Sequence, residues 1–250
     1  MNMIVLKNNT ELEAMSIACR ISAGALKAGG EAVQPGVTTK EIDRIIHRFI
    51  TAAGAKPSFL GYGGFPASAC ISINGEVIHG IPSDRAIREG DIVSIDVGAF
   101  IGGFHGDNAA TFAAGAISDT AQRLLDTTRE SLHMGINAAC AGARVGDIGY
   151  AVQRYCEQRG FSVVRKYVGH GVGRDLHEAP DVPNYGLAGR GVRLVPGMTL
   201  AIEPMINEKG ADVRVLSDRW TVVTVDGGLS AHFEHTVAVT SEGPVILTTP

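Results

Sequence analysis

The sequence predicts an α+β fold built as a duplication, each half a pair of helices followed by strands. Three observations carry this. Helical periodicity and strand-like patterning alternate along the chain in the order helices, strands, helices, strands. The stretch QPGVTTKEIDRIIHRFITAAG aligns without a gap on CAGARVGDIGYAVQRYCEQRG, placing Gly36 on Gly142, Ile42 on Ile148 and Gly54 on Gly160, each 106 apart. Further on, EGDIVSIDVG aligns on PGMTLAIEPM, with Gly90 on Gly197 and Asp96 on Glu203, each 107 apart. The halves run about 1–117 and 118–250. No Pro- or Ser-rich linker divides them, so a single catalytic domain over 1–250 is expected.

Each element has a local reason. Thr10 followed by Glu13 reads as a capping box that opens a helix to about residue 28, with Gly29 and Gly30 ending it. Thr38 followed by Glu41 is a second box. Ile42, Ile45, Ile46 and Phe49 then form an apolar stripe, and Gly54 closes that helix. Between Phe59 and Phe112 short apolar runs are broken by Gly, Pro and Asn, which is strand patterning. A third helix is expected over about 119–139 and a fourth over 147–159. Strands resume after Phe161 and continue to the C-terminus.

Composition narrows the function. Of 250 residues, 45% are hydrophobic and 19% charged, so the chain is globular rather than disordered. A net charge of −4 argues against a nucleic-acid surface or a polybasic membrane patch. The start MNMIVLKNNTELEAM lacks the parts of a signal peptide, and no apolar run approaches the ~20 residues of a membrane helix. Cys19, Cys70, Cys140 and Cys156 form no C-x-x-C pair, which argues against a thiolate zinc site and suits a reducing, cytoplasmic setting.

Five residues carry the chemistry. In DIVSIDVGAF, strand alternation puts Ile92, Ser94 and Asp96 on one face and Val93, Ile95 and Val97 on the other. A carboxylate on such a strand is costly to bury unless it is paired or bound to a metal. Asp107 follows in FHGDNAATF, with Gly102 and Gly103 between them where a hairpin would turn. His170 lies in the Gly-rich VGHGVGRDLHEAP, Glu203 in LAIEPM, and Glu234 in HFEHTVAV between His232 and His235. Taken singly, each also fits an ordinary surface or hydrogen-bonded residue. Together, four carboxylates in one cavity would repel, and some would have to take up protons. Two divalent cations balance that charge. An oxygen-rich set with one imidazole suits Mn, Fe or Co, with Zn also accommodated. Two ions ~3.5–4 Å apart can hold an acidified water as nucleophile.

The ordered motifs SIDVG, FHGD, GHGVGRDLHEAP, AIEPM and FEHT, with HGIP upstream, resemble the methionine aminopeptidases over essentially the whole chain. The resemblance implies the pita-bread fold, a duplicated α/β structure around a curved antiparallel sheet with a pseudo-twofold axis. It implies that Asp96, Asp107, His170, Glu203 and Glu234 hold both metals, Asp107 and Glu234 bridging them. His79 would sit near the amine and the scissile nitrogen. His177 would contact the scissile carbonyl, and Glu203 would serve as general acid/base. Tyr62, Phe65 and Cys70 match the segment lining the methionine pocket, and Trp220 an aromatic on its opposite wall. Asn74 and Ser230 match the surroundings of a monovalent-cation site found in some members.

The implied activity is removal of the N-terminal methionine from nascent proteins, favouring a small second residue. The implied partners are a peptide or nascent-protein N-terminus and the ribosome, with a monomer as the default. Several positions depart from the family pattern: AFIGG before FHGD, Leu176 where an aromatic is common, and Phe59 where Cys or Thr is frequent. The 33 positions between His170 and Glu203 leave no room for the helical insertion of type II members, so a minimal type I form is expected. Three other readings remain open. A prolidase or aminopeptidase P relative would carry an extra N-terminal domain, whereas this chain opens on the catalytic half. A paralogue could act on other peptides, and a pita-bread binding module would have lost its ligands.

Overall fold

A computed structural model describes residues 4–249. Among them the first half holds α1 (Asn9–Glu31), α2 (Thr39–Ala52), β1 (Lys56–Pro57), β2 (Ala69–Ile73), β3 (Glu76–Ile78), β4 (Ile92–Ile101) and β5 (Phe104–Ala113). The second half opens with α3 (Asp119–Ala138), α4 (Val145–Glu157), β6 (Ser162–Val163), β7 (Gly169–Gly171), β8 (Glu178–Val182) and β9 (Thr199–Ile202). It ends with β10 (Met205–Asn207), β11 (Val213–Val215), β12 (Val222–Thr224), β13 (Ser230–His232), β14 (Glu234–Thr240) and β15 (Gly243–Ile246).

The main sheet runs β1-β4-β5-β14-β9-β7-β8, with β2 also on β4 and β15 also on β14. All its pairs are antiparallel. The sheet curls, as the pita-bread expectation requires. On β4, Val93, Ile95 and Val97 pack with Ile42, Ile46 and Ile50 of α2. In the second half Leu200, Ile202, Val237 and Val239 pack with Leu124, Leu132, Ile148 and Val152 of α3 and α4.

The duplication is visible in the backbone. Gly36 and Gly142 share φ of 94° and 92°, Gly54 and Gly160 74° and 83°, Gly90 and Gly197 85° and 94°. These matched glycines mark left-handed turns that a side chain would strain. Packing repeats as well. A Cβ on Gly29 would lie 2.8 Å from Ile46, and one on Gly135 would lie 2.9 Å from Val152. Both members of that contact recur 106 positions on.

Three expectations need correcting. α1 is capped by Asn8 with Glu11, two residues before the expected Thr10 and Glu13. Gly29 and Gly30 do not end it. They lie inside it because close packing on Ile46 and Phe112 leaves no room for a side chain, and that outweighs the helix penalty of glycine. The buried stripe of α2 is Ile42, Ile46 and Ile50, while Ile45 and Phe49 are substantially exposed. The Thr38–Glu41 box stands as expected, and α3 begins at Asp119 under the Ser118 cap.

Within the main sheet the halves meet where β5 faces β14. Only two residue pairs form there, Ala109 with Glu234 and Asn108 with His235. On either side threonine hydroxyls replace direct backbone pairing. Thr236 Oγ1 accepts from Asp107 N at 3.1 Å and donates to Asp107 O at 2.7 Å. Thr111 Oγ1 accepts from His232 N and donates to His232 O, both at 2.9 Å.

Candidate metal centre and substrate pocket

The sheet aims five acidic or imidazole side chains at one point. β4 and β5 turn at Gly102 and Gly103, both with positive φ, so Asp96 faces Ala109 and Gly98 faces Asp107. Residues paired across a ladder share a face, and so do residues two apart. Asp96 and Asp107 therefore lie on the same side. Ala109 also pairs Glu234, which carries that side across to β14. Thr236 pairs Ala201, and Ala201 pairs His170, so His170 on β7 and Glu203 just past β9 follow. Five adjacent positions across the sheet thus deliver one side chain each.

The convergence is close. Ligand atoms of Asp107, His170 and Glu234 lie within 4.8 Å of one another. His170 Nε2 is 3.6 Å from Glu203 Oε1 and 3.9 Å from Asp107 Oδ2. His170 Nδ1 is 2.8 Å from the Gly171 carbonyl, to which it donates. That fixes the tautomer and leaves Nε2 with its lone pair towards the cluster, the orientation a metal-ligating imidazole needs.

The electrostatics are those of a site built for cations. Burial, then the charges of Asp96 and Glu203, pushes the Asp107 carboxyl well above the ordinary range. Burial, with Asp107 next, does the same to Glu234. Burial lifts Asp96 to about 7. Glu203 moves the other way: its burial is outweighed by the close His232 ring and by His170 and His79. Asp96 Oδ1, Asp107 Oδ1 and Glu234 Oε1 are buried without any hydrogen-bond partner. Orphaned buried oxygens are rare and costly in proteins. Three of them around one imidazole fit divalent ions.

A cavity of about 200 Å³ opens onto this cluster. Its lining includes Phe59, Tyr62, Phe65, Cys70, Leu176 and Trp220, every pocket residue the sequence suggested, together with His79 and His177. Phe59, Phe65, Cys70 and Leu176 form one buried cluster, with Trp220 packed against it. Phe65 and Trp220 meet edge-on at 5.1 Å between centroids. β3 pairs with β12, and His79, just past β3, stands 6.4 Å edge-on from Trp220. His79 has φ 59°, a left-handed backbone uncommon for a non-glycine and typical of functional positions. Burial lowers its pKa, against the pull of Glu203. His177 sits at the rim. Desolvation by its crowded surroundings, then His170, brings its pKa to about 4, so the ring is neutral at pH 7. Its Nδ1 is 2.7 Å from Tyr62 Oη.

Sequence reasoning placed His232 beside Glu234 but gave it no part. Its ring is buried, with Nε2 3.3 Å from Glu203 Oε2. Only the strand pairing of β10 with β13, which sets Met205 against His232, reveals this contact. Away from the cluster, Ser230 N donates to the Asn74 carbonyl at 2.9 Å, which brings those two candidate residues together.

The fold and the cluster define a metallopeptidase. Residues 13–241 match the model of metallopeptidase family M24, and the chain belongs to that family. It is 52% identical over 246 residues to methionine aminopeptidase 1 of Bacillus subtilis, spanning 98% of this chain and 99% of that one. A crystal structure of the methionine aminopeptidase of Thermotoga maritima superposes with a TM-score of 0.98 at 44% identity, over 99% of this chain and 100% of that one. The prolidase of Pyrococcus furiosus shares the fold at a TM-score of 0.81 and 24% identity, and this chain spans 66% of its length.

Proposed function

We infer that this chain is a minimal type I methionine aminopeptidase that removes the N-terminal methionine from nascent proteins, favouring a small second residue. The observation that carries the reading is the direct opening of an apolar, aromatic- and thiol-walled cavity onto a carboxylate–imidazole cluster. An unbranched thioether packs well on such walls.

Asp96, Asp107, His170, Glu203 and Glu234 would hold two divalent ions. Mn, Fe, Co and Zn all suit this donor set. When bound, such ions supply positive charge and Lewis acidity at the scissile carbonyl. Phe59, Phe65, Cys70, Leu176 and Trp220 exclude water and hold the methionine side chain. His79 orients the substrate amine and the scissile nitrogen. Tyr62, donating to His177 Nδ1, leaves Nε2–H of His177 as a donor for the carbonyl oxygen as charge develops on it. Glu203, kept ionised by His232, accepts a proton from the water that adds to the scissile carbonyl and passes it to the leaving amine as the carbon–nitrogen bond breaks. The Asn74 carbonyl beside Ser230 suits a monovalent cation. Residues 1–250 act as one catalytic domain, in the cytoplasm and as a monomer, on peptide ends emerging at the ribosome. None of the described helices is long and apolar enough to cross a membrane.

Incubating the metal-loaded protein with Met-Ala-Ser and with Ala-Pro-Ala separates the readings. Free methionine from the first peptide alone is expected. Cleavage beside proline without methionine release would instead mark a prolidase-like or aminopeptidase P-like enzyme.

A further inference from the structure

Outside the cluster, the described structure buries one lysine–carboxylate ion pair. Lys7, in the segment before α1, pairs with Glu178 at the start of β8, 171 positions away. Their side chains are 2% and 7% exposed. Burying two charges is expensive, and such a pair is weak evidence for stability as such. Its place in the fold suggests what else it does.

Glu178 uses both oxygens. One is taken by Lys7 Nζ. The other accepts from the backbone N–H of Arg174 at 2.8 Å and of Asp175 at 3.3 Å. The carboxylate therefore ties both ends of the 173–178 loop together and ties the loop to the N-terminal segment. Lys7 is itself fixed. Its backbone N–H donates to Gly197 O at 2.8 Å, and its ammonium also donates to Val5 O at 3.2 Å. At Gly173 a Cβ would fall 2.6 Å from both Lys7 Nζ and Glu178 Oε1, so a side chain there would have to displace the pair. A second tether runs beside the first: Arg174 Nη2 to Glu11 Oε1 at 2.9 Å. Between the tied ends stand Leu176 and His177, a wall of the cavity and the histidine at its rim.

We propose that Lys7 is a positioning residue for the reaction: through Glu178 it holds the 173–178 loop at the depth where His177 meets the scissile carbonyl. The five residues 173–177, with no helix or strand of their own, cannot hold a ring to within the fraction of an ångström that transition-state contacts need without such support. The proposal rests on the methionine aminopeptidase reading, because it needs His177 to touch substrate.

The test is a double-mutant cycle on the full-length, metal-loaded protein. Lys7→Met is made in the natural chain and in a His177→Ala background, and methionine release is resolved into kcat and KM. The expected result is a loss of roughly tenfold in kcat, with KM changed less than about twofold, as for other supporting-residue substitutions. In the His177→Ala background that loss disappears, because the two residues act through one contact. Exchange of the Arg174 and Asp175 amide protons also speeds up in Lys7→Met, a readout independent of turnover. If stranding the Glu178 charge prevents folding, Lys7→Met/Glu178→Gln removes both charges and enters the same cycle. An equal proportional loss in both backgrounds, or full kcat in a folded variant, overturns the proposal. Failure of the unsubstituted chain to release methionine would instead sink the functional reading beneath it.

Discussion

The two halves repeat one frame but fill it differently. In the first, Asp96 and Asp107 arrive on a single hairpin with a two-residue turn. In the second, His170, Glu203 and Glu234 come from three separate strand positions. The counterpart carboxylates, 107 positions apart, are tuned in opposite directions. Asp96, whose largest influence is burial, rises to about 7, whereas Glu203, in contact with His232 and His170, falls below the ordinary carboxylate value. A duplicated scaffold places two acids symmetrically; His232 and His170 of the second half, with His79 of the first, then give them unequal proton affinities. In the proposed mechanism that inequality would let Asp96 stay a ligand while Glu203 also handles a proton.

The contrast can be broken directly. Asp96→Asn and Glu203→Gln should each cut methionine release by more than about a hundredfold, beyond the loss of an outer-shell partner. On the metal-free protein at pH 8 they should diverge. Asp96→Asn raises the melting temperature by removing a repelled buried charge, and Glu203→Gln lowers it by leaving His232 with a weaker partner. Shifts of the same sign would erase the distinction.

Next in size is the pH response of the metal-free chain. Asp96, Asp107 and Glu234 bind protons more tightly folded than unfolded. Their contribution is complete below the ordinary carboxylate range and is lost as pH climbs through about 7 for Asp96. Glu203 has the reverse sign, its contribution being lost as pH falls. His79, His105, His177 and His235, held neutral in the fold, share its sign. The three strongly raised carboxyls outweigh them, so melting should drop on the order of 10 °C between pH 5 and pH 8. Divalent metal should recover most of it. A flat profile by calorimetry would contradict the assigned directions.

The matched packing contacts give a smaller effect and sharpen the likeness. Gly29→Ala meets Ile46, and Gly135→Ala meets Val152, at nearly the same separation. Each should cost about 1–3 kcal/mol in urea titrations, with similar values for both. The mildest change is Leu176→Phe in the cavity wall. It should alter kcat/KM for methionine by less than about tenfold and leave metal affinity untouched.

Much of this was legible in the sequence because the relevant forces are local or periodic. The Thr38 box, the start of α3 near 119, the turn at Gly102–Gly103 and the repeat all follow from neighbours close in the chain. The acids stood out because an apolar strand has no other use for them. What stayed hidden depended on distant partners. Gly29 and Gly30 read as a helix stop until Ile46 and Phe112 were seen against them. The start of α1 read as a Thr10–Glu13 box, whereas the fold uses Asn8 with Glu11. His232 required the β10–β13 register, and Lys7 required Glu178 from the far end of the chain.

The narrow joint between β5 and β14 has a further consequence. It joins segments 129 positions apart through two residue pairs and a pair of threonine hydroxyls. Asp96 and Asp107 lie on one side of it, and His170, Glu203 and Glu234 on the other. An ion gripped from both sides would act as a cross-link closing a very long loop, and closing long loops is where a cross-link removes the most chain entropy. Chelation should therefore loosen more than the reaction centre. It should weaken the coupling of the two halves, which the β3–β12 pairing and the Lys7–Glu178 pair still join, so that the melting transition of the stripped protein broadens.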